Sequence, residues 1–290
     1  MAVTTALRDA LSLLRKHPVL FIPTAVFAVL QIPQLFMNTL DPLVSIAGSL
    51  LFTAIFAFVT PVFHAGTIGM TDDVASGRPT SLSRFWTHVK DHYVSVLGAY
   101  LVVLGVSFGF GFLLFFGGII AGAAVIGADA GLGVTVAVGL VAALISLVYL
   151  IGLFAVHFYA HAIVIEDYGV TGGLTRSVEV VRNNIVSVLG YGVLSTVVGG
   201  VIGAIYVGLI MLVFPMSGAP GEPAPMPDLV PAVLGSVGVV VTMTVFTTFF
   251  LAFSVTFYRT LIDTDETSPE TGTSEPSVGT RPGDDTEIAG

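Results

Sequence analysis

L-S-R-F-W-T-H-V-K-D-H-Y-V-S-V-L-G, residues 82–98, and L-T-R-S-V-E-V-V-R-N-N-I-V-S-V-L-G, residues 174–190, are two versions of one pattern at a constant offset of 92 residues. Arg176 falls on Arg84, Arg182 on Lys90, and V-S-V-L-G recurs unchanged. Each copy is a short polar helix with an apolar stripe that runs into a long apolar segment. That join is read as the point where a membrane-lying helix turns to enter the bilayer.

The apolar segments decide the class. Charged residues make up 10% of the 290-residue chain and hydrophobic residues 54%, with mean hydropathy +0.96. A soluble domain carries about 25% charged residues, so this composition cannot build a water-exposed surface. No Asp, Glu, Lys or Arg stands between Lys16 and Asp41, Asp41 and Asp72, Asp91 and Asp129, Asp129 and Glu166, Arg182 and Glu222, or Asp228 and Arg259. Each gap exceeds the ~20 residues that a helix needs to cross a bilayer. Barrel strands are about half that length and alternate in polarity. The expectation is therefore an all-α integral membrane protein with spans at about 18–37, 43–70, 94–126, 134–163, 185–214 and 229–261. Pro23 and Pro33 should kink the first span or sit near its ends.

A weaker copy of the pattern at a shift of 75 residues aligns Leu7 with Leu82, Arg15 with Lys90 and Val19 with Val94. The chain then reads as three parallel helix-hairpin repeats, each preceded by a cytoplasmic amphipathic helix at the interface (2–16, 82–93 and 164–184). Leu82, Phe85, Trp86, Val89 and Tyr93 form the stripe of the second, and an interfacial position suits the single Trp. All ten Lys and Arg fall on one side if both termini are cytoplasmic, and none falls in the outer turns. The positive-inside rule then places both termini in the cytoplasm of a multi-pass cell-membrane protein.

Residues 1–262 form the membrane domain. The Pro-rich stretch 215–228 is expected to be a stiff outer loop. Residues 263–290 hold eight acidic residues and one Arg and should form a disordered cytoplasmic tail. The acidic balance, of a kind found in halophiles, describes that tail. With no cysteine, thiolate chemistry, disulfides and Cys-based metal sites are excluded. No basic face points to nucleic acid, and no motif calls for a cofactor or a resident metal. The expected partners are membrane lipids, other membrane proteins or a second copy of the chain.

Two groups of polar residues stand out. His157 and His161 lie four apart on the fourth span, with His64 and Glu166 on the same side of the membrane. Such a set could bind a divalent metal. Hydrogen bonding to lipid, water or Glu166 at headgroup level is the plainer reading. Arg84, Lys90, Arg176 and Arg182 could hold lipid phosphate, although the positive-inside rule alone explains them. Glu166 could instead pair with Arg176 across the loop between them. Gly105-x3-Gly109, Gly118-x3-Gly122 and Gly199-x3-Gly203 fit small-xxx-small helix packing. The hydroxyls of the sixth span are expected to bond their own backbone or a neighbouring helix.

The stretch A-I-V-I-E-D-Y-G-V-T-G-G-L-T-R-S-V-E-V-V-R-N-N, residues 162–184, resembles a group of six-span prokaryotic and haloarchaeal membrane proteins of unknown function. That group is similar to the membrane domain attached to some glycerophosphodiester phosphodiesterases. Glu166, Leu174, Arg176, Ser177 and Asn183 carry the match. The resemblance implies the fold and no catalytic activity, because the phosphodiesterase barrel is absent. Three functions remain open: a non-enzymatic scaffold or lipid-interacting module, a permease for a small apolar or amphipathic solute using spans 3, 5 and 6, and a metal-dependent membrane enzyme built on His64, His157 and His161. Deleting residues 263–290 should leave membrane insertion intact, as measured by carbonate extraction of the truncated protein.

Overall fold

A computed structural model describes residues 2–127, 131–213 and 228–267. Among the described residues there is no strand, and the chain is helical almost throughout. Helix α1 spans Ala2–Lys16. The first apolar run is broken into α2 (Phe21–Leu30) and α3 (Ile32–Phe36), flanked by 3-10 turns. Pro33 sits in the first turn of α3, where its missing N–H costs nothing, so the break falls at Gln31. The other elements are α4 (Pro42–Ala75), α5 (Leu82–Gly127), α6 (Leu132–Ala155), α7 (Tyr159–Ile165), α8 (Val170–Asn183), α9 (Ile185–Val213) and α10 (Leu229–Thr267). Six helical stretches are long and apolar enough to cross a membrane: Pro18–Phe36, Pro42–Ala75, Leu82–Val125, Leu132–Ile165, Ile185–Met211 and Leu229–Asp263.

The two copies of the quoted pattern fold differently. In the second, Asn184 leaves helical geometry (φ −121°, ψ 31°) and its amide donates to the carbonyl of Val180 at 3.2 Å, which separates α8 from α9. Asn side chains compete for backbone groups in this way. The first copy has Asp91-His92 at that place, and α5 continues unbroken for 46 residues. A separate interfacial helix at 82–93 is therefore not present. Its stripe does not lie flat either. Phe85 and Val89 are buried against the rest of the protein, while Leu82 and Trp86 are exposed.

The packed core sits at one end of the bundle. Residues with little or no exposure cluster at the C-terminal end of α4, the N-terminal part of α5, α7, α8 and the C-terminal part of α10, with Ala6, Ala10 and Leu14 of α1 beside them. Towards the other end, α5, α6 and α9 present exposed side chains such as Phe112, Phe115, Ile120, Leu144 and Val201.

The glycines divide along the same line. A Cβ on Gly66 would meet the Phe85 ring at 2.3 Å, and one on Gly69 would meet the His88 ring at 2.2 Å. These two let α5 press onto α4. Gly105, Gly109, Gly118, Gly122, Gly199 and Gly203 have nothing within 4 Å of such a Cβ. Among the described residues the spaced glycines thus serve no close packing, contrary to the expectation from their spacing.

Helix α10 runs past Asp263 to Thr267, so the start of the expected tail is helical. The rest of that tail, and most of the Pro-rich stretch 215–228, lie outside the described residues. Gly66→Ala should destabilise the protein by about 1–3 kcal/mol through overpacking against Phe85. Gly109→Ala, in open space, should be neutral or slightly stabilising. Thermal unfolding of both in detergent checks the contrast.

Candidate functional site

Helix α4 delivers Asp72 and Asp73 to the packed end. It stops at Ser76 and Gly77, where Gly77 adopts φ +72° and the N–H groups of Ser76, Gly77 and Arg78 return to the carbonyls of Asp72, Val74 and Asp73. The reversal brings α5 back along α4 with Arg84 and His88 on one face. Asp73, with no exposed side-chain surface, accepts hydrogen bonds from Arg78 Nε (2.9 Å), Arg84 Nε (3.0 Å), Arg84 Nη2 (2.9 Å) and His88 Nε2 (2.9 Å). Asp72 accepts from Arg78 Nη2 at 2.8 Å and from Arg259 Nη1 of α10, which also donates to Ser76 Oγ at 2.6 Å. The hydrogen bond to Asp73 raises the Arg78 pKa above its ordinary value, with burial opposing it.

The second charged centre lies on the other side of α10. Arg176 Nε donates to Glu166 Oε2 at 3.0 Å and Arg176 Nη1 to Glu179 Oε2 at 3.2 Å. The Tyr258 hydroxyl donates to Glu166 Oε1. Burial works against the charge on Arg176, but the hydrogen bond and charge of Glu166 outweigh it and its pKa is raised. The pairing of Glu166 with Arg176 is one of the two roles the sequence allowed.

Ser177, next in the chain and fully buried, bridges a break in the fourth span. Its hydroxyl donates to the carbonyl of Ala155 and accepts from the N–H of Phe158, both at 3.0 Å. The break at 156–158 puts His157 between helices, so the expected shared helical face of His157 and His161 does not exist. Both nonetheless border one cavity of about 660 Å³, together with His64. His161 Nε2 is 2.7 Å from Ser254 Oγ. Among the described residues no three His, Cys, Asp or Glu side chains are placed to hold a metal ion, and Glu166 belongs to the separate centre with Arg176 and Tyr258.

A second cavity, of about 930 Å³, lies between α5, α6 and α8. Val102, Val103, Val106 and Leu153 give it an apolar wall, and Thr175, Glu179, Arg182 and Asn183 form a polar rim. The four basic positions singled out in the sequence therefore separate. Arg84 and Arg176 are engaged by carboxylates, while Lys90 and Arg182 are exposed and form no ion pair among the described residues.

The profile of one protein family, described as a domain of unknown function (DUF7847), matches residues 1–261. The chain belongs to that family. Neither the curated proteins nor the solved structures contain a match. The match spans every centre just described in this DUF7847 chain: both carboxylate centres, the Ser177 bridge and the two cavities.

Sequence reasoning missed Asp72, Asp73, Tyr258 and Arg259. The signal available was an adjacent acid pair closing a charge-free run, followed by Arg78 and Arg84. Ser177→Ala should cost about 1–3 kcal/mol, because it strands a buried backbone N–H. Thr175→Ala, at an exposed hydroxyl bonded to its own helix, should change stability by less than about 0.5 kcal/mol. Thermal unfolding of the two variants in the same detergent measures both.

Proposed function

We propose that this chain is a non-enzymatic, multi-pass membrane module that holds a phospholipid in the cleft between α5, α6 and α8. One observation carries the reading: Arg182, with no ion pair among the described residues, stands at the rim of a cleft whose inner wall is apolar. An acyl chain would lie along Val102, Val106 and Leu153, and the phosphate would meet Arg182 with Thr175 and Asn183 beside it. A basic residue next to a span attracts an anionic headgroup by about 1 kcal/mol.

The finer architecture belongs to the same proposal. It consists of three parallel helix hairpins with cytoplasmic interfacial segments in the cell membrane and both termini in the cytoplasm. Equivalent positions of the three units support it: Ala10, Phe85 and Ser177 are all buried, and so are Leu14, Val89 and Val181. Arg84 and Arg176, equivalent in the second and third units, each pair with a carboxylate at the end of the preceding span. The first unit carries Asp9 at the place of Arg84 and Arg176. Kinship with the membrane domain of glycerophosphodiester phosphodiesterases rests only on Glu166, Leu174, Arg176, Ser177 and Asn183.

A permease built on spans 3, 5 and 6 has less support, since α5 does not line the central cavity. Native mass spectrometry in phosphatidylglycerol tests the lipid reading. Wild-type protein should retain bound lipid, and Arg182→Ala should weaken retention about five-fold, the equivalent of ~1 kcal/mol. Equal retention by Arg182→Ala would remove the proposal's basis.

A further inference from the structure

The central cavity shares no lining residue with the Arg182 cleft and is bordered by α2, α4, α6, α7, α9 and α10. Five phenylalanines (Phe27, Phe63, Phe154, Phe246 and Phe250) make most of its wall apolar. Three imidazoles border it, from α4 (His64), the helix break (His157) and α7 (His161). Among the described residues no Asp, Glu, Lys or Arg lines it. His161 is buried, His64 half-buried and His157 exposed at the border of the cavity, and an imidazole that faces an apolar wall in place of water is costly without a hydrogen bond.

The chain supplies few of those partners. His161 is 93% buried, and its Nε2 is satisfied by Ser254. Its Nδ1 has no hydrogen-bond partner among the described residues. Among the described residues the rings of His64 and His157 make no hydrogen bond, and His157 makes ring contacts with Phe158 and Tyr191. The helix break that frees His157 is itself built, by Ser177 bridging Ala155 and Phe158.

We infer that this cavity binds an uncharged, apolar molecule carrying a hydroxyl group, which hydrogen-bonds to His64 and His157. The charge balance of the lining selects the neutral class, since an ion placed there would have no countercharge. The imidazoles select the hydroxyl. A ring nitrogen is a donor or an acceptor according to tautomer, and a hydroxyl satisfies either, whereas a carbonyl only accepts. The cavity, at about 660 Å³, accommodates a ten-carbon chain with room to spare. The inference does not depend on the lipid proposed for the Arg182 cleft.

The test uses full-length protein labelled with ¹⁵N-histidine in lipid nanodiscs. It is titrated separately with 1-decanol, dioctanoylglycerol, decanoate and decane. Decanol or dioctanoylglycerol should shift the His64 and His157 resonances saturably, and the two distinguish a single-chain alcohol from a hydroxyl-bearing lipid. His64→Leu should weaken that binding at least five-fold with the protein still folded, as judged by its unchanged His17 and His92 resonances. His157→Leu provides a second variant should His64→Leu not fold. Arg182→Ala should leave the titration unchanged. Decane binding as tightly as decanol, preferential binding of decanoate, or loss of binding in Arg182→Ala would each overturn the inference.

Discussion

Asp73 has no exposed side-chain surface, and it lies in the last turn of a helix whose first thirty residues, 42–71, include no Asp, Glu, Lys or Arg. A carboxylate in that position persists only if donors surround it, because an unpaired buried charge costs several kcal/mol. Two guanidinium groups and an imidazole supply the donors, from the turn after α4 and the first turns of α5. Meeting that requirement fixes how α5 returns along α4. Gly66 and Gly69 are the space that the return needs. The ion cluster and the close helix contact are one structural event.

Helix α10 extends the constraint to the rest of the protein. Adjacent residues on it reach opposite centres: Tyr258 to Glu166 and Arg259 to Asp72. Further along, Thr256 donates to the carbonyl of Ala6 in α1 at 3.0 Å, Ser254 meets His161 in α7, and Thr248 pairs with Thr24 in α2. The hydroxyls of this helix therefore tie neighbours together, as expected for hydroxyls in a membrane-spanning helix. Polar ties are concentrated at one end, and the apolar lengths beyond them are left with exposed surface.

The helical class and the six apolar runs were legible because a charge-free stretch of that length has few other physical solutions. Glu166 and Arg176 were legible because an acid and a base flank one short loop. The partners of Asp72 were legible only in part, since Arg259 arrives from 187 residues away. The break at His157 was not legible at all. Its cause is a hydroxyl 19 residues downstream, and nothing in H-F-Y-A-H itself stops a helix. The glycines misled for a related reason. Spacing shows that a helix has a smooth face, but contact depends on whether another helix comes to it. Gly66 and Gly69 meet α5, whereas Gly105 and Gly109 meet nothing among the described residues.

The claim that the buried carboxylate holds the packed end together is tested most directly by distance measurement between spin labels. The chain has no cysteine, so labels can be placed on Leu11→Cys in α1 and Thr87→Cys in α5, both exposed sites. Double electron–electron resonance on this pair should give a narrow distance distribution in the otherwise native chain and a broad one when Asp73→Asn is added. A distribution that stays equally narrow with Asp73→Asn would contradict the account.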